Sequence, residues 1–395
     1  MRALADVPED HHHVDGDDQP QHAAGDRPPR SSGEREGHRP EDRPDQPPHA
    51  QPEPHPQSTA RCPRFTARTH RDHYSSSVST LHSGRFTEED RTEGAGVLPD
   101  ADELAEVLLD LAVPHEDISE LVRMGRRVTD DPELVRLLEG AVQELVRDMG
   151  EAGRPVEPPE LDWATGALQR CFPVYVFVAA LPHTRAYHRE RGVPADVSRR
   201  TLADLGRNMA VHRRRYGRTG VEAPRWLTHH FRGELYQLGR LQFERAAHGQ
   251  RTGQALAAAG LDVAPGTPCL NLHIPDFLGP LSPGACDRSL ALAAEFFARC
   301  FPEEKYRAAL CHSWLLDPQL RDYLPADSNI VRFQGRFQAA REDTEPADTE
   351  PVRFVFGDPD LPVETLPRRT PVERAVGDHL RAGKHWYMGH GWFPL

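Results

Sequence analysis

His273 closes an alternating apolar run, Thr267–Pro275 (TPCLNLHIP), that reads as a β-strand. An imidazole at the C-terminal end of a strand, facing a cleft, is placed to take a proton from an amine or hydroxyl group. The same residue could instead be a hydrogen-bonded histidine of the core or sheet edge. The loop that follows, DFLGPLSPGA (276–285), leads into an apolar helix, Cys286–Cys300. Gly279 and Gly284 would let the backbone approach a ligand, and Ser282 adds a donor beside the helix start. Unpaired N–H groups and the positive end of a helix favour an anion. An ordinary strand-to-helix connection with a Ser–Pro start is the alternative. His312 and Ser313 fall mid-strand in Tyr306–Leu315 and must point to opposite faces, so one of them shares the face of His273. Cys311 would be a nucleophile only if partly exposed and near a base. His229 and His230, beside Arg232 and Glu234, form a charged cluster that either lines an acceptor site or ends a solvated helix.

These residues need elements to hold them. The chain has 395 residues, room for two or three domains. Hydrophobic residues make up only 37%, and the mean hydropathy is -0.66. The deficit is concentrated in residues 1–96, rich in Pro, His, Asp, Arg, Glu, Gln and Ser, which read as a disordered tail because they cannot bury enough apolar area to offset chain entropy. His11–His13 in that tail is a polar tract with at most weak affinity for a metal ion.

From Asp102 the pattern turns helical. Leu104, Val107, Leu108 and Leu111 recur at helical spacing, and helices follow over 115–126, 131–149, 163–181 and 194–213. Residues 97–215 thus form a mostly helical domain. Residues 216–395 read as an α/β domain: a strand pair bent near Gly239, strands at 267–275 and 306–315, a short helix at 317–324 with Asp317 as cap, strands at 330–337 and 352–356, a helix at 372–381 and an aromatic end. The fold class is therefore α+β, a helical domain followed by one mixed sheet with helices packed on it.

The formal net charge of -13 argues against a nucleic-acid binder, which needs a basic footprint. No apolar run is long enough to span a membrane, and nothing at the N-terminus marks secretion. Six scattered cysteines with no CxxC pair argue against structural zinc or a disulfide framework, and for a reducing cytoplasm. Motifs of metalloproteases, α/β-hydrolases, P-loop NTPases and dinucleotide enzymes are missing.

The strings WLTHHFRGELYQLGRLQFER, LNLHIPDFLGPLSPGACDRSL, CHSWLLDPQL and LPADSNIVRFQGRF, in this order, resemble those of bacterial GNAT-like acyltransferases. In that family an N-terminal helical N-acyltransferase domain precedes a GNAT-like C-terminal domain. The resemblance covers residues 97–395. It implies an acyl-CoA donor lying in a notch where the strands at 269–273 and 306–314 splay apart. Its pyrophosphate would be held at the start of the 286–300 helix by Asp276, Gly279, Ser282, Gly284 and Ala285. His273 would be the base, Ser313 a partner of the pantetheine amide or thioester carbonyl, and Tyr323 a positional match for the family's general acid. The acceptor would be a small molecule, an amine, attacked directly, with no metal, nucleic acid or membrane involved. The usual [QR]xxGx[GA] phosphate pattern is missing from the loop. That departure motivates a second reading, a non-catalytic protein that binds a metabolite or docks a partner on a degenerate GNAT-like scaffold. A hydrolase using Cys311 or Ser313 is a third.

Overall fold

The computed structural model describes residues 98–395, apart from 154–155, 159–160, 162–165, 262–263, 265 and 343–344. The expected polar tail, with His11–His13, and Trp163 lie outside the described residues.

Seven helices come first: α1 (Ala101–Asp110), α2 (His115–Asp130), α3 (Pro132–Val146), α4 (Ala167–Glu190), α5 (Ala195–Leu202), α6 (Asp204–Tyr216) and α7 (Pro224–Phe231). Local signals set their ends. Asp100 accepts from the backbone of Asp102 and Glu103, and Asp131 from that of Glu133 and Leu134, so each carboxylate satisfies donors that the first turn leaves unpaired. The predicted 194–213 helix is broken at Ala203 into α5 and α6. α4 is the spine of this half. It is apolar around most of its circumference, carries Pro173 and Pro182 inside the helix, and buries Phe172, Val174, Tyr175, Phe177 and Leu181 against Leu104, Leu108, Leu121 and Leu138.

The second half contains β1 (Leu235–Leu238), β2 (Leu241–Ala247), α8 (Gln250–Ala258), β3 (Pro268–His273), α9 (Pro283–Cys300), β4 (Ala308–Ser313), α10 (Asn329–Gln334), β5 (Gln338–Glu342), α11 (Thr349–Phe356), α12 (Pro371–Arg381) and β6 (Gly389–Pro394). The strands form one mixed sheet in the order β1-β2-β3-β4-β6-β5. The β3/β4 pair is parallel, and the other pairs are antiparallel. The β1–β2 turn needs Gly239: its φ is +71°, and a Cβ there would stand 2.7 Å from Ser289 Oγ on α9. Phe243, Leu270, Leu272 and Cys311 on one sheet face pack with Phe296, Phe297 and Phe301 of α9 and its end.

Two predicted strands are helices. Residues 330–337 fall largely in α10, because Ser328 caps the backbone N–H of Val331 and starts a helix that sends Phe333 into the sheet core. Residues 352–356 close α11. There Val352 is buried while Phe354 is half exposed, a burial pattern of a helix face and not of a strand's alternation. The sheet takes its last strands from β5 and from the aromatic end, where β6 inserts between β4 and β5.

Candidate active site

The parallel strands β3 and β4 are paired at only two places, Leu270 with Ala309 and Asn271 with Leu310. Beyond them the pairing between the two strands stops. Leu272 and His273 on one side, and Cys311 to Ser313 on the other, have no partner across the gap. Each strand stays fully paired on its outer flank: Gln242 with His273, and Ser313 with Gly389. Both strands are thus held by their outer neighbours, and the pairing between them stops at Asn271 and Leu310, where the resemblance expects the notch.

The 274–282 loop and the start of α9 follow directly from the β3 side of this gap. Ser282 is the N-cap, its Oγ accepting the Ala285 N–H at 3.4 Å, with Pro283 at the first helical position. Gly279 has φ +75° and open space around it, and a Cβ on Gly284 would meet only Arg288 Nη1, at 3.5 Å. Asp276 is exposed beside Arg240. Two arginines that the sequence reading did not single out stand here. Arg240 donates from Nε to the Gly279 carbonyl at 2.9 Å, and its buried Nη1 has no protein partner. Arg336 donates to the Pro283 carbonyl at 3.1 Å and pairs with Asp287 at 2.7 Å. A polyanion at this helix start would meet two guanidinium groups as well as the helix end.

His273 is bound through Nε2 to Glu244 Oε2 at 2.8 Å, and the same oxygen accepts from Asn271 Nδ2 at 3.3 Å. The carboxylate accepts, so Nε2 carries a proton, and in the neutral ring Nδ1 keeps its lone pair. The register places Gln242, Glu244, Asn271 and His273 on one face of the sheet, opposite the packed core. α7 covers that face. The Trp226 ring meets His273 edge-on, with centroids 4.7 Å apart. His229 Nδ1 bonds Glu234 Oε2 at 2.8 Å and lies 3.7 Å from Glu244 Oε1. Glu234 is buried and held by Arg232 Nε at 2.6 Å, while the Arg232 Nη atoms donate to the carbonyls of Leu145, Arg147 and Asp148. Next to them His230 pairs with Asp204 at 3.2 Å. Burial pushes the Glu244 carboxyl up, but His273, His229 and Asn271 outweigh it and hold it below its usual value. Burial likewise pulls His229 down, and its two carboxylates reverse that to a net rise.

The other anticipated residues stand apart from this group. Ser313 Oγ accepts the Leu315 N–H at 3.2 Å, capping the turn after β4. It is His312, in register one residue beyond Cys311, that shares the His273 face, exposed and stacked on His390 at 3.8 Å. The Tyr323 hydroxyl is bonded to His379 Nδ1 at 2.9 Å in a separate cluster around Trp314 and Trp386. Asp317 is a cap, as read from the sequence, accepting from Gln319 and Tyr387. Cys311 is buried, and burial pushes its thiol up to about 12, so it is not a nucleophile at neutral pH. A cavity of about 540 Å³ lies on the β6 side of β4, lined by Asp317, Arg321, Gln334, Phe337, Tyr387 and Gly391 among others, and none of the anticipated site residues borders it. Among the described residues no group of three or more His, Cys, Asp or Glu could hold a metal ion, and no helix is long and apolar enough to cross a membrane.

Trp226, Glu244 and Asn271 were missed, although a signal existed. In LQFE and in LNLH the polar residues fall at every second position, which gives both strands one polar face.

Residues 102–233 match the family model of the N-acyltransferase N-terminal domain, and residues 235–393 that of the GNAT-like C-terminal domain. No curated protein matches the chain. Solved structures do. One is an acyltransferase in complex with decanoyl-CoA and teicoplanin, at 41% identity over 75% of this chain and 89% of that one, with a TM-score of 0.68. Another is an acyltransferase in complex with decanoyl-CoA, at 42% identity over 75% and 89%, also with a TM-score of 0.68. A third, in complex with CoA and 10C-teicoplanin, has 41% identity and the same coverage and TM-score. The likeness decides against the non-catalytic reading. The chain belongs to the GNAT-like N-acyltransferases and is an enzyme that transfers acyl groups from acyl-CoA.

Proposed function

We propose that this enzyme moves a medium-chain acyl group from acyl-CoA to an amine on a glycopeptide, by direct attack with His273 as the base. The observation that carries the reading is the position of His273. It ends β3 at the gap between β3 and β4, with Glu244 on one ring nitrogen and the other nitrogen open to accept. Structures at 41% and 42% identity hold decanoyl-CoA, and one of them also holds teicoplanin, which supports both the chain length and the acceptor class.

In the proposed reaction the thioester lies in the gap and its pyrophosphate at the start of α9, near Ser282, Gly284, Ala285, Arg240 and Arg336. Asp276 and Gly279 shape the loop there. The amine nitrogen attacks the thioester carbon. A C–N bond forms, His273 Nδ1 takes the amine proton, the C–S bond breaks, and CoA leaves as a thiolate that is then protonated. Backbone N–H groups of the unpaired strand edges are available to the developing oxyanion. Most of the acceleration comes from holding the two reactants together. Ser313 and Tyr323 support the site indirectly, through the turn after β4 and the packing behind it. The five described cysteines are all buried and unpaired, which fits a reducing compartment, and we place the enzyme in the cytoplasm.

The test is CoA thiol release from decanoyl-CoA with teicoplanin and with a panel of small amines, together with calorimetry of decanoyl-CoA binding. H273A should keep donor affinity and lose roughly 10²- to 10⁴-fold in kcat. Full turnover by H273A would refute the assignment of the base, and turnover with small amines alone would refute the glycopeptide acceptor.

A further inference from the structure

The carboxylate of Glu244 is shared. Oε2 bonds His273 at 2.8 Å, and Oε1 faces His229 Nδ1 at 3.7 Å. His229 belongs to α7, in the helical half, and is fixed there twice. Its Nδ1 donates to Glu234, and Glu234 is locked by Arg232, whose side chain is wholly buried. Both imidazoles lie against one indole: Trp226 is 5.6 Å from the His229 ring centre and 4.7 Å from that of His273. The two rings are therefore no more than roughly 10 Å apart, close enough for a charge on one to act on the other through a half-buried, low-dielectric region.

Among the described residues, the charged and titratable groups that face His229 are few. Glu234, just before β1, and Glu244, on β2, have the opposite sign to its cation. Arg225, on its own helix, has the same sign. Across on β3 stand His273 and the neutral Asn271. The two carboxylates outweigh burial and Arg225, so His229 holds its proton more tightly than a free imidazole does.

We propose that His229 is a positioning residue for proton transfer: its cation draws on the Glu244 carboxylate, lowers the proton affinity of His273, and keeps Nδ1 of His273 free to accept. This rests on the reading of His273 as the base. Glu244 alone would favour an imidazolium at His273, which cannot act as a base. A second cation on the same carboxylate offsets that bias. The helical half would then supply a working part of the proton-transfer site as well as a cover for it.

The variant is His229→Asn, whose amide can still donate to Glu234 but carries no charge. The midpoint of the acid limb of kcat/KM should rise by about half a unit to one unit. The His273 imidazole, followed by NMR titration in the full chain, should rise by the same amount, with KM for decanoyl-CoA unchanged. In the unmutated chain the His273 resonance should show a second inflection where His229 titrates, a measurement that needs no variant to fold. A His273 titration that is single-stepped in the parent, or unmoved or lowered in H229N, overturns the proposal. These NMR outcomes are read without turnover. A fully active H273A would remove the base assignment, and the coupling of the two rings would still stand or fall on its own titration.

Discussion

Glu244→Gln isolates the charge on which the proposed base depends. Glutamine keeps the size of the side chain and one acceptor oxygen, and removes the negative charge beside His273. Glu244 is mostly buried, with a side chain 14% exposed, and its bond to His273 is 2.8 Å long, so solvent screens the pair only in part. A hydrogen bond to a charged group contributes about 1.5–3 kcal/mol. The neutral and the charged ring both make this bond, so the pH dependence reads only the smaller, ionic part of it. The sign follows from which form the carboxylate favours. It stabilises the imidazolium, so its loss makes the imidazole neutral at lower pH, and the acid limb of kcat/KM moves down. The plateau falls too, because a weaker base drives proton transfer less and an amide no longer fixes which ring nitrogen carries the proton. We expect a plateau lowered by about 10- to 100-fold, less than full removal of a general base costs. The assay is CoA thiol release from decanoyl-CoA across the pH range of the acid limb, with acyl-CoA binding checked by calorimetry. An acid limb that stays in place or moves up, at an unchanged plateau, would falsify the His273–Glu244 assignment. The direction also opposes that expected for H229N, so the two variants together separate the field of the carboxylate from that of its second partner.

Three further outcomes follow from individual contacts. Ser282→Ala removes the cap that accepts the Ala285 N–H, which should cost about 1 kcal/mol in denaturant unfolding and weaken decanoyl-CoA binding in calorimetry; unchanged binding would place the pyrophosphate elsewhere. Arg232→Met leaves the buried Glu234 carboxylate with His229 alone and should destabilise the fold by about 3–5 kcal/mol; a near-neutral change would mean that His229 or water compensates the charge. His188 is buried, its Nδ1 on Ser198 and its Nε2 unpartnered, and burial pulls it down to about 4. Since an unfolded histidine titrates near 6.5, stability should be whole above that pH and fall by up to about 3 kcal/mol as pH drops towards 4. His188→Asn should flatten melting curves over that window, and an equally steep fall in the variant would assign the loss to other groups.

What the sequence showed and what it hid have separate physical causes. The helices of the first half were legible because their apolar spacing, and the Asp131–Pro132 start of one of them, are local. β3, α9 and β4 were legible for the same reason, as a strict alternation, a Ser–Pro start and a second alternation. The residues 330–337 and 352–356 misled because β-branched and aromatic residues fit a strand as well as a helix in isolation. What decided the first was a cap at Ser328 and burial of Phe333 against the sheet, and what decided the second was burial of Val352 among Ala375 and Val376 of α12 and Trp386. β6 was hidden because HGWFP carries no alternation, and its pairing partners lie some 80 residues before it in β4 and some 50 before it in β5. His273 was visible as a strand-end histidine. Glu244 was not, because its role exists only once the register sets Glu244 beside Asn271 and Gln242 beside His273.

On the proposed reading, that register also lets one strand serve two reactants. A base must be held still, and a thioester needs an open strand edge; in most sheets these demands conflict, since pairing that rigidifies a strand also closes it. β3 separates them by side. Towards β2 it is paired through its last residue, His273, so the imidazole is anchored by a ladder and by Glu244 from the neighbouring strand. Towards β4 it is free from Leu272 onward, so backbone groups of the same two residues can turn to a ligand. β4 repeats the arrangement in mirror fashion, paired through Ser313 to β6 and open to β3. The polar face above this gap would be costly if it were left half-wet, because its carboxylates would be screened and its imidazoles loosely set. Trp226 and His229 of α7 close it from the helical side. On the proposed reading, the helical half therefore sets the dielectric and the charge balance in which His273 works.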